Sequence, residues 1–285
     1  MSASGVPPLV SVITATYNWS AVLRYAIESV LRQTHERFEH LIIGDGCTDD
    51  SGEVVASFGD SRLRWHNLPE NSGNQSHPNN VGLDMARGTY VAYLGHDDLW
   101  YPDHLRLLAD ALERSGSDVA YTVAEMIGPQ GTNLRLLTGL SASGAYERGQ
   151  LVPPSSLMHR RDMIPATGNW MDYRTISLAP DTEFLVRAFD RGKTFTPVPE
   201  LTVFKFNSAW RPGSYAQKPS HEQAAYAGRM AREPDFRYRE LLEVARVHVL
   251  QLPMQFPEVP PRPDPVPPGW DVRQSRRIRG LDTSS

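Results

Sequence analysis

The stretch Gly88–Leu105 reads GTYVAYLGHDDLWYPDHL and gives the clearest indication of the fold. Its apolar run Thr89–Leu94 predicts a buried β-strand, and Pro102 predicts the first turn of a following helix. Asp97 and Asp98 come between the two, where the strand ends. Neighbouring carboxylates repel each other unless a cation or hydrogen-bond donors compensate them. The segment therefore predicts a strand, an acidic turn and a helix.

The acidic turn has two interpretations. Mg²⁺ and Mn²⁺ prefer oxygen ligands and often take only one or two protein carboxylates, which leaves positions for water and substrate phosphates. On this interpretation Asp98 is the metal ligand. On the other, Asp97 and Asp98 lie in an exposed turn and cap the following helix.

Strands and helices alternate on both sides of this segment. Further strands are predicted at Leu9–Ala15, His40–Gly44, Arg62–His66 and Val119–Val123. Helices are predicted at Ala21–Leu31, Asp49–Phe58, Val81–Ala86 and Pro102–Arg114. This alternation is typical of a parallel sheet with right-handed crossovers, so we predict an α/β fold whose ligands bind beyond the carboxyl ends of the strands.

The pattern is less regular further along the chain. Over residues 126–173 the periodicity weakens, and shorter strands with mixed topology are expected. A helix is predicted over Pro180–Arg191 and a strand over Leu201–Phe206.

The C-terminal part has a different composition. Residues 220–251 predict two helices broken near Pro234, and the seven prolines of Met254–Pro268 predict an extended segment. We therefore divide the chain into a main domain (1–217), helices packed on or extending it (218–252), and a Pro-rich, basic tail (253–285).

Composition excludes several classes of protein. The chain has 285 residues, of which 40% are hydrophobic and 22% charged, and its net charge is -4. These values indicate a globular protein and argue against one that coats nucleic acid. The single cysteine, Cys47, excludes an internal disulfide and a multi-thiolate metal site.

No membrane-spanning or leader segment is predicted. Met1–Pro8 lacks the basic region and apolar core of a leader, and no stretch approaches the roughly 18 apolar residues of a membrane span. We expect a cytoplasmic protein. Four arginines near the end of the chain would permit a peripheral membrane contact, but we interpret them as a solvated basic tail. They are Arg273, Arg276, Arg277 and Arg279.

A third acid is expected at the same edge of the sheet. The segment Ile42–Ser51 reads IIGDGCTDDS and places Asp45 in a glycine-flanked turn after a strand. An ionised aspartate only accepts hydrogen bonds, so it can select a base with a donor, such as the imide N–H of uracil or thymine. The alternative is an Asx turn, which Asp-Gly pairs often form.

Three stretches together resemble the inverting nucleotide-sugar glycosyltransferases of family 2, which have the GT-A fold. They are VSVITATYN (Val10–Asn18), IIGDGCTDDS (Ile42–Ser51) and ENSGNQSHPNNVGLDMARGTYVAYLGHDDLWYPDHL (Glu70–Leu105). Their order and spacing are those of the family. The resemblance covers roughly residues 8–215 and implies a mostly parallel central sheet flanked by helices, with a C-terminal helical and Pro-rich appendage.

The resemblance also implies roles for individual residues. Ala15 and Tyr17 would hold the nucleotide base, and Asp45 would pair with its imide. Asp97 would meet the ribose, and Asp98 would bind the Mn²⁺ or Mg²⁺ ion that bridges the diphosphate.

The family's catalytic base falls on Asp181, in LAPDTEFLVRAF. Inverting transfer needs a carboxylate that takes the acceptor's proton while the acceptor attacks the anomeric carbon. Helix capping also favours an acid directly after Pro180, and Glu183 could serve as the base equally well.

Two further residues are candidates for the nucleotide site, and two positions depart from the family. Asn80 belongs to the family's Asn-x-Gly step, and Arg211 either neutralises the diphosphate or lies in a surface loop. His96 stands where the first acid of the DXD element is often found, and Gly44 stands where many members have an aspartate.

We therefore predict metal-dependent transfer of a sugar from a UDP- or dTDP-linked donor to the hydroxyl or amine of a small-molecule or glycan acceptor, with inversion. One alternative is a catalytically silent sugar-nucleotide binding module, which the changes at His96 and Gly44 favour. The other is a nucleotidyltransferase, which the lack of a basic, glycine-rich loop after the first strand disfavours.

Overall fold

The computed structural model describes residues 10–282. Met1–Pro8, from which the absence of a leader was predicted, lies outside the described residues. So do Leu9, where the first strand was predicted to begin, and residues 283–285 of the predicted tail.

Strands and helices alternate through the first half of the chain, as predicted. The strands are β1 (Val10–Thr16), β2 (Phe38–Gly44), β3 (Leu63–Asn67), β4 (Tyr90–Tyr93), β5 (Leu99–Trp100), β6 (Val119–Ile127), β7 (Arg135–Thr138), β8 (Leu157–Arg160) and β9 (Phe195–Lys205). The helices are α1 (Ser20–Leu31), α2 (Ser51–Ser57), α3 (Ser76–Met85), α4 (His104–Ser115), α5 (Ile164–Thr167), α6 (Pro180–Asp190), α7 (Ser214–Gln217), α8 (His221–Arg232), α9 (Phe236–Val249) and α10 (Trp270–Arg279).

The strands form one mixed sheet in the order β3-β2-β1-β4-β8-β6-β9-β5, with β7 beside β6. The half made of β3, β2, β1 and β4 is parallel throughout, because a helix connects β1 to β2, β2 to β3 and β3 to β4. In the other half β8 runs antiparallel to both β4 and β6, whereas β6 and β9 are parallel. The prediction of mixed topology beyond residue 126 agrees with this arrangement.

The register of the parallel half places several strand ends at one edge. Thr16 at the end of β1 pairs with Gly44 at the end of β2, and Ile13 pairs with Tyr93 at the end of β4. All seven residues of β2 are buried, so helices cover both of its faces. The loops after β1, β2 and β4 therefore meet above this edge.

The helices after β9 pack on the sheet through a buried ionic cluster. Arg135 of β7 lies 2.5 Å from both Glu125 of β6 and Glu240 of α9, and both acids are almost fully buried. Arg229 of α8 also pairs with Glu240 at 2.9 Å. These contacts connect α8 and α9 to the far half of the sheet.

The basic end of the chain differs from its prediction. It forms α10, which packs against α7 and the turn before it, and its Arg276 side chain is only 16% exposed. The interpretation as a solvated tail is therefore corrected, because the residues after the Pro-rich segment fold back onto the main domain. Within residues 10–282, no helix has the length and apolar character needed to cross a membrane.

Candidate active site

A cleft of about 390 Å³ lies above the edge where the strand ends meet. Its wall includes the end of β1, the loops after β2 and β4, the start of α6, the end of β9 and one face of α10. Of the predicted residues, the structure brings Ala15, Tyr17, Asp45, Asp97 and Asp181 to this wall. It places Asp98, Asn80, Glu183 and Arg211 elsewhere.

The end of β1 contributes one aromatic wall. Tyr17 stacks on Tyr215 of α7, with 6.4 Å between ring centroids and 29° between planes. Tyr215 also packs edge-on against Trp19, at 5.0 Å. Ala15, Tyr17 and Tyr215 line the cleft, and the faces of such aromatic rings can stack on a planar base.

Asp45 lies at the floor of the cleft and is 5% exposed. Its carboxylate accepts hydrogen bonds from the Ser72 backbone N–H at 2.9 Å and from the Asn71 side-chain amide at 3.0 Å. Burial raises the pKa of Asp45, and the donors from residue 72 oppose this rise. Gly44, the residue before Asp45, has no room for a side chain, because a Cβ there would lie 2.4 Å from Asn67 Oδ1.

The two neighbouring acids of Gly88–Leu105, Asp97 and Asp98, have different surroundings. Asp97 lines the cleft, and no hydrogen-bond donor among residues 10–282 reaches its carboxylate. Asp98 is fully buried and accepts hydrogen bonds from Ser155 Oγ at 2.5 Å, Lys205 Nζ at 3.0 Å and the Phe206 backbone N–H at 3.1 Å. The prediction of Asp98 as metal ligand is therefore corrected, because protein donors already occupy its carboxylate. Asp97 is the acid available for a ligand.

The two residues before Asp97, Gly95 and His96, provide no second carboxylate for a cation, and each has a structural reason. A Cβ at Gly95 would lie 2.7 Å from Asp98 Oδ2, so the backbone there has no space for a side chain. His96 is hydrogen-bonded through Nδ1 to Thr16 Oγ1 at 2.8 Å and through Nε2 to the Tyr215 hydroxyl at 3.1 Å. Burial lowers the pKa of His96, so its imidazole joins β1 to α7 in the neutral form.

Asp181 follows Pro180, the first residue of α6, and lines the cleft. Burial raises the pKa of its carboxyl, and the Thr182 backbone N–H and the charge of Lys205 oppose this rise. Glu183, the alternative base, pairs with Arg187 one turn later, at 2.7 Å. That ion pair lies outside the cleft wall, so Asp181 is the acid of this helix that can contact a ligand.

Two predicted nucleotide contacts are directed elsewhere. The side-chain amide of Asn80 exchanges two hydrogen bonds with the Trp170 backbone, both at 2.9 Å. The guanidinium of Arg211 is 8% exposed; it pairs with Glu222 at 2.6 Å and donates to the Ile127 carbonyl at 3.0 Å. Both side chains therefore stabilise the fold around the site, and both predictions are corrected.

Sequence reasoning missed the cations of the cleft. Lys205, at the end of β9, and Arg276 and Arg279, on α10, all line it. The sequence signal for α10 was the pair of glycines that flank it, Gly269 and Gly280, because glycine is common beside helix ends. Both glycines have positive φ in the structure.

The cleft fits a divalent cation that takes most of its ligands from substrate and water. Within the described part of the chain, no group of three or more His, Cys, Asp or Glu side chains is arranged to hold a metal ion. Asp97 supplies one carboxylate without protein donors, and Mg²⁺ or Mn²⁺ often binds in this way beside substrate phosphates.

The architecture is that of the GT-A glycosyltransferases. The fold is similar to that of residues 1–349 of S. aureus TarS, solved in complex with UDP-GlcNAc (TM-score 0.59, 19% identity, 86% of this chain and 73% of that chain). It is also similar to the mannosyltransferase PcManGT from Pyrobaculum calidifontis, solved with GDP-Man and Mn2+ (TM-score 0.57, 14% identity, 86% of this chain and 76% of that chain).

The family follows from the sequence. The family model for Glycosyl transferase family 2 matches residues 11–180, more than half of the chain, and the protein belongs to this family. The chain is 33% identical over 129 residues to the putative teichuronic acid biosynthesis glycosyltransferase TuaG of Bacillus subtilis, a match covering 45% of this chain and 51% of TuaG. It is 35% identical over 134 residues to an uncharacterised glycosyltransferase of Rickettsia felis, covering 46% of this chain and 22% of that protein. The matches thus span about half or less of these relatives.

Proposed function

We propose that the protein transfers a sugar from a UDP- or dTDP-linked donor to an acceptor hydroxyl or amine in the cytoplasm, with inversion at the anomeric carbon. The observation that carries this proposal is that Asp45, Asp97 and Asp181, from three separate elements, line one cleft. The complexes of TarS with UDP-GlcNAc and of PcManGT with GDP-Man and Mn2+ support a nucleotide-sugar donor.

Each acid has a distinct task in this mechanism. Asp45 accepts the imide N–H of the base, which stacks near Tyr17. Asp181 takes the acceptor's proton as the acceptor atom bonds to the anomeric carbon and the bond from that carbon to the diphosphate oxygen breaks. The raised pKa of Asp181 makes it a stronger base than an exposed aspartate once it is ionised.

Asp97 would hold the divalent cation, in the role that the sequence assigned to Asp98. A bound Mn²⁺ or Mg²⁺ stabilises the negative charge of the diphosphate. Among the described residues, no cluster of three or more metal-ligating side chains surrounds Asp97, so we propose that the diphosphate and water supply most of the other ligands.

The test combines binding with turnover on the full chain. Calorimetry with UDP, dTDP and GDP, each with and without MnCl₂, measures base preference and metal dependence. A panel of nucleotide sugars is then assayed for release of nucleoside diphosphate with and without candidate acceptors.

We expect Mn²⁺-dependent binding of UDP or dTDP, and release of diphosphate from one or more donors. Binding without turnover of any donor would favour the silent module, which the changes at His96 and Gly44 also favour. Failure to bind any diphosphate would refute both sugar-nucleotide functions. Release of pyrophosphate from UTP and a sugar phosphate would instead indicate a nucleotidyltransferase.

A further inference from the structure

The C-terminal helix α10 forms one wall of the cleft, far in sequence from the family motifs. After the Pro-rich segment, the Gly269 backbone N–H donates to the Ile176 carbonyl at 2.7 Å. At the other end of the helix, the Gly213 N–H donates to the Ile278 carbonyl at 2.8 Å. These bonds fix both ends of α10 to the main domain.

One residue of α10 also reaches the loop that holds Asp45. Arg276 Nη1 donates to the Gly73 carbonyl at 2.8 Å, next to Ser72, whose N–H binds Asp45. The helix therefore crosses from the α7 side of the cleft to the proposed base-binding side.

The three cations of the cleft wall differ in what neutralises them. Lys205 pairs with Asp98 at 3.0 Å, and Arg276 pairs with Asp282 at 2.8 Å. Arg279 has no carboxylate partner within residues 10–282; it donates to the Ser275 carbonyl at 3.1 Å and to Ser275 Oγ at 2.5 Å, both on its own helix. Arg279 is thus the cleft cation whose charge the described protein leaves uncompensated.

Arg279 and Asp97, the acid proposed to hold the metal, line the same cleft and are connected through Tyr215 and His96. Its guanidinium carbon is 5.8 Å from the centroid of the Tyr215 ring, and the Tyr215 hydroxyl is hydrogen-bonded to His96, the residue before Asp97. The charge of Arg279 lowers, and the charge of Asp97 raises, the pKa of both the Tyr215 phenol and the His96 imidazole. A ligand group lying between Arg279 and Asp97 would meet a cation on one side and a carboxylate with its metal ion on the other.

We propose that Arg279 binds the diphosphate of the nucleotide-sugar donor, so that α10 completes the donor site. This inference rests on the proposed function. A nucleoside diphosphate carries more negative charge than one divalent ion neutralises, and the planar guanidinium can donate two parallel hydrogen bonds to phosphate oxygens. Arg279 therefore supplies the positive charge that the sequence assigned to Arg211.

The chain offers a matched control on the same helix. Arg277 is exposed, does not line the cleft and carries the same charge. Calorimetry with MnCl₂ measures the affinity of the full chain for UDP and for UMP in the wild type, Arg279→Gln and Arg277→Gln. Thermal unfolding of each variant checks that the fold is kept, and Arg279→Lys tests whether charge alone is sufficient.

We expect Arg279→Gln to weaken UDP binding by about tenfold or more, and to weaken UMP binding less, because a charged hydrogen bond to phosphate is lost. Arg277→Gln should leave both affinities within about twofold of the wild type, as expected of an exposed residue away from the site. Arg279→Lys should fall between the wild type and Arg279→Gln.

Two outcomes would overturn the inference in different ways. If Arg279→Gln loses no more UDP affinity than Arg277→Gln, or loses UMP and UDP affinity equally, the proposed function stands and Arg279 is not a diphosphate ligand. If the wild type binds neither nucleotide, the proposed function fails and the inference fails with it.

Discussion

The carboxylate of Asp98 and the ammonium of Lys205 form a buried ion pair, with 3.0 Å between Oδ2 and Nζ. Asp98 is fully buried, whereas its neighbour Asp97 faces the cleft. Burial raises the pKa of Asp98, and the charge of Lys205 opposes that rise. Two consecutive acids thus have separate tasks: Asp98 stabilises the turn, and Asp97 remains available to a ligand.

Substitution should separate these tasks. Asp98→Asn leaves the Lys205 ammonium buried beside a neutral amide, so the free energy of unfolding should fall by about 3–5 kcal/mol. Asp97→Asn should change it by about 0.5 kcal/mol or less, because no donor among the described residues reaches the Asp97 carboxylate. Urea unfolding measures both changes.

The same pair predicts a contrast in ligand binding. Calorimetry of UDP binding with and without MnCl₂ should show that Asp97→Asn loses the effect of Mn²⁺. If Asp97→Asn kept that effect and a folded Asp98→Asn lost it, our assignment of the two acids would be reversed.

Asp181 should be essential for transfer but not for nucleotide binding. Removing a general base costs about 10²–10⁴ in rate. We therefore expect Asp181→Asn to lower kcat by that factor while its affinity for UDP stays near the wild-type value.

Glu183→Gln is the control, because its carboxylate is paired with Arg187 away from the cleft wall. It should retain most of the transferase activity. Loss of UDP affinity together with activity in Asp181→Asn would count against a role as base.

The features predicted correctly were those that depend on local sequence. Apolar periodicity located the strand that became β4 and the helix that became α6, because each buries one face or both. A strand followed by a glycine-flanked acid placed Asp45 at the correct edge, since parallel strands present their carboxyl ends together.

The features that failed depend on contacts distant in sequence. Asp97 and Asp98 look alike in the sequence, and they are distinguished by Lys205, which lies 107 residues after Asp98. Arg276 contacts Gly73 across 203 residues, and composition does not indicate such a contact. A basic tail was therefore predicted where the structure forms α10. Arg211 was assigned to the nucleotide because its partner Glu222 could not be inferred from charge alone.

Base preference should depend on Asp45. Its carboxylate accepts an imide N–H, whereas the ring nitrogen of cytosine at the same position is itself an acceptor. Asp45→Asn should weaken UDP binding by about tenfold or more, because a charged hydrogen bond is lost, and should weaken CDP binding less. Competition calorimetry gives the ratio of the two affinities; an unchanged UDP-to-CDP ratio would rule out contact between Asp45 and the base.

The free energy of unfolding should decrease as the pH is lowered, because several histidines are buried in the neutral form. Burial, aided by the charge of Arg237, lowers the pKa of His104 to about 3, and burial lowers that of His40 to about 3 and that of His159 to about 4. The ordinary value is 6.5, so as pH falls below 6.5 the unfolded chain takes up protons that the folded protein cannot. Stability from each histidine is therefore present above pH 6.5 and is lost by about 1.4 kcal/mol per pH unit below it.

His104 allows this linkage to be measured directly. Its Nδ1 is hydrogen-bonded to Thr202 Oγ1 at 2.7 Å, and its Nε2 is buried with no partner among the described residues, so a proton there would be poorly solvated. Between pH 6.5 and 5, urea unfolding of His104→Gln should show a pH slope about 1.4 kcal/mol per unit shallower than that of the wild type. Glu125→Gln is the opposite control: burial raises the pKa of Glu125 to about 7, so this carboxyl destabilises the fold as pH rises, and its removal should steepen the slope. Equal slopes in all three proteins would show that neither buried group titrates as its surroundings require.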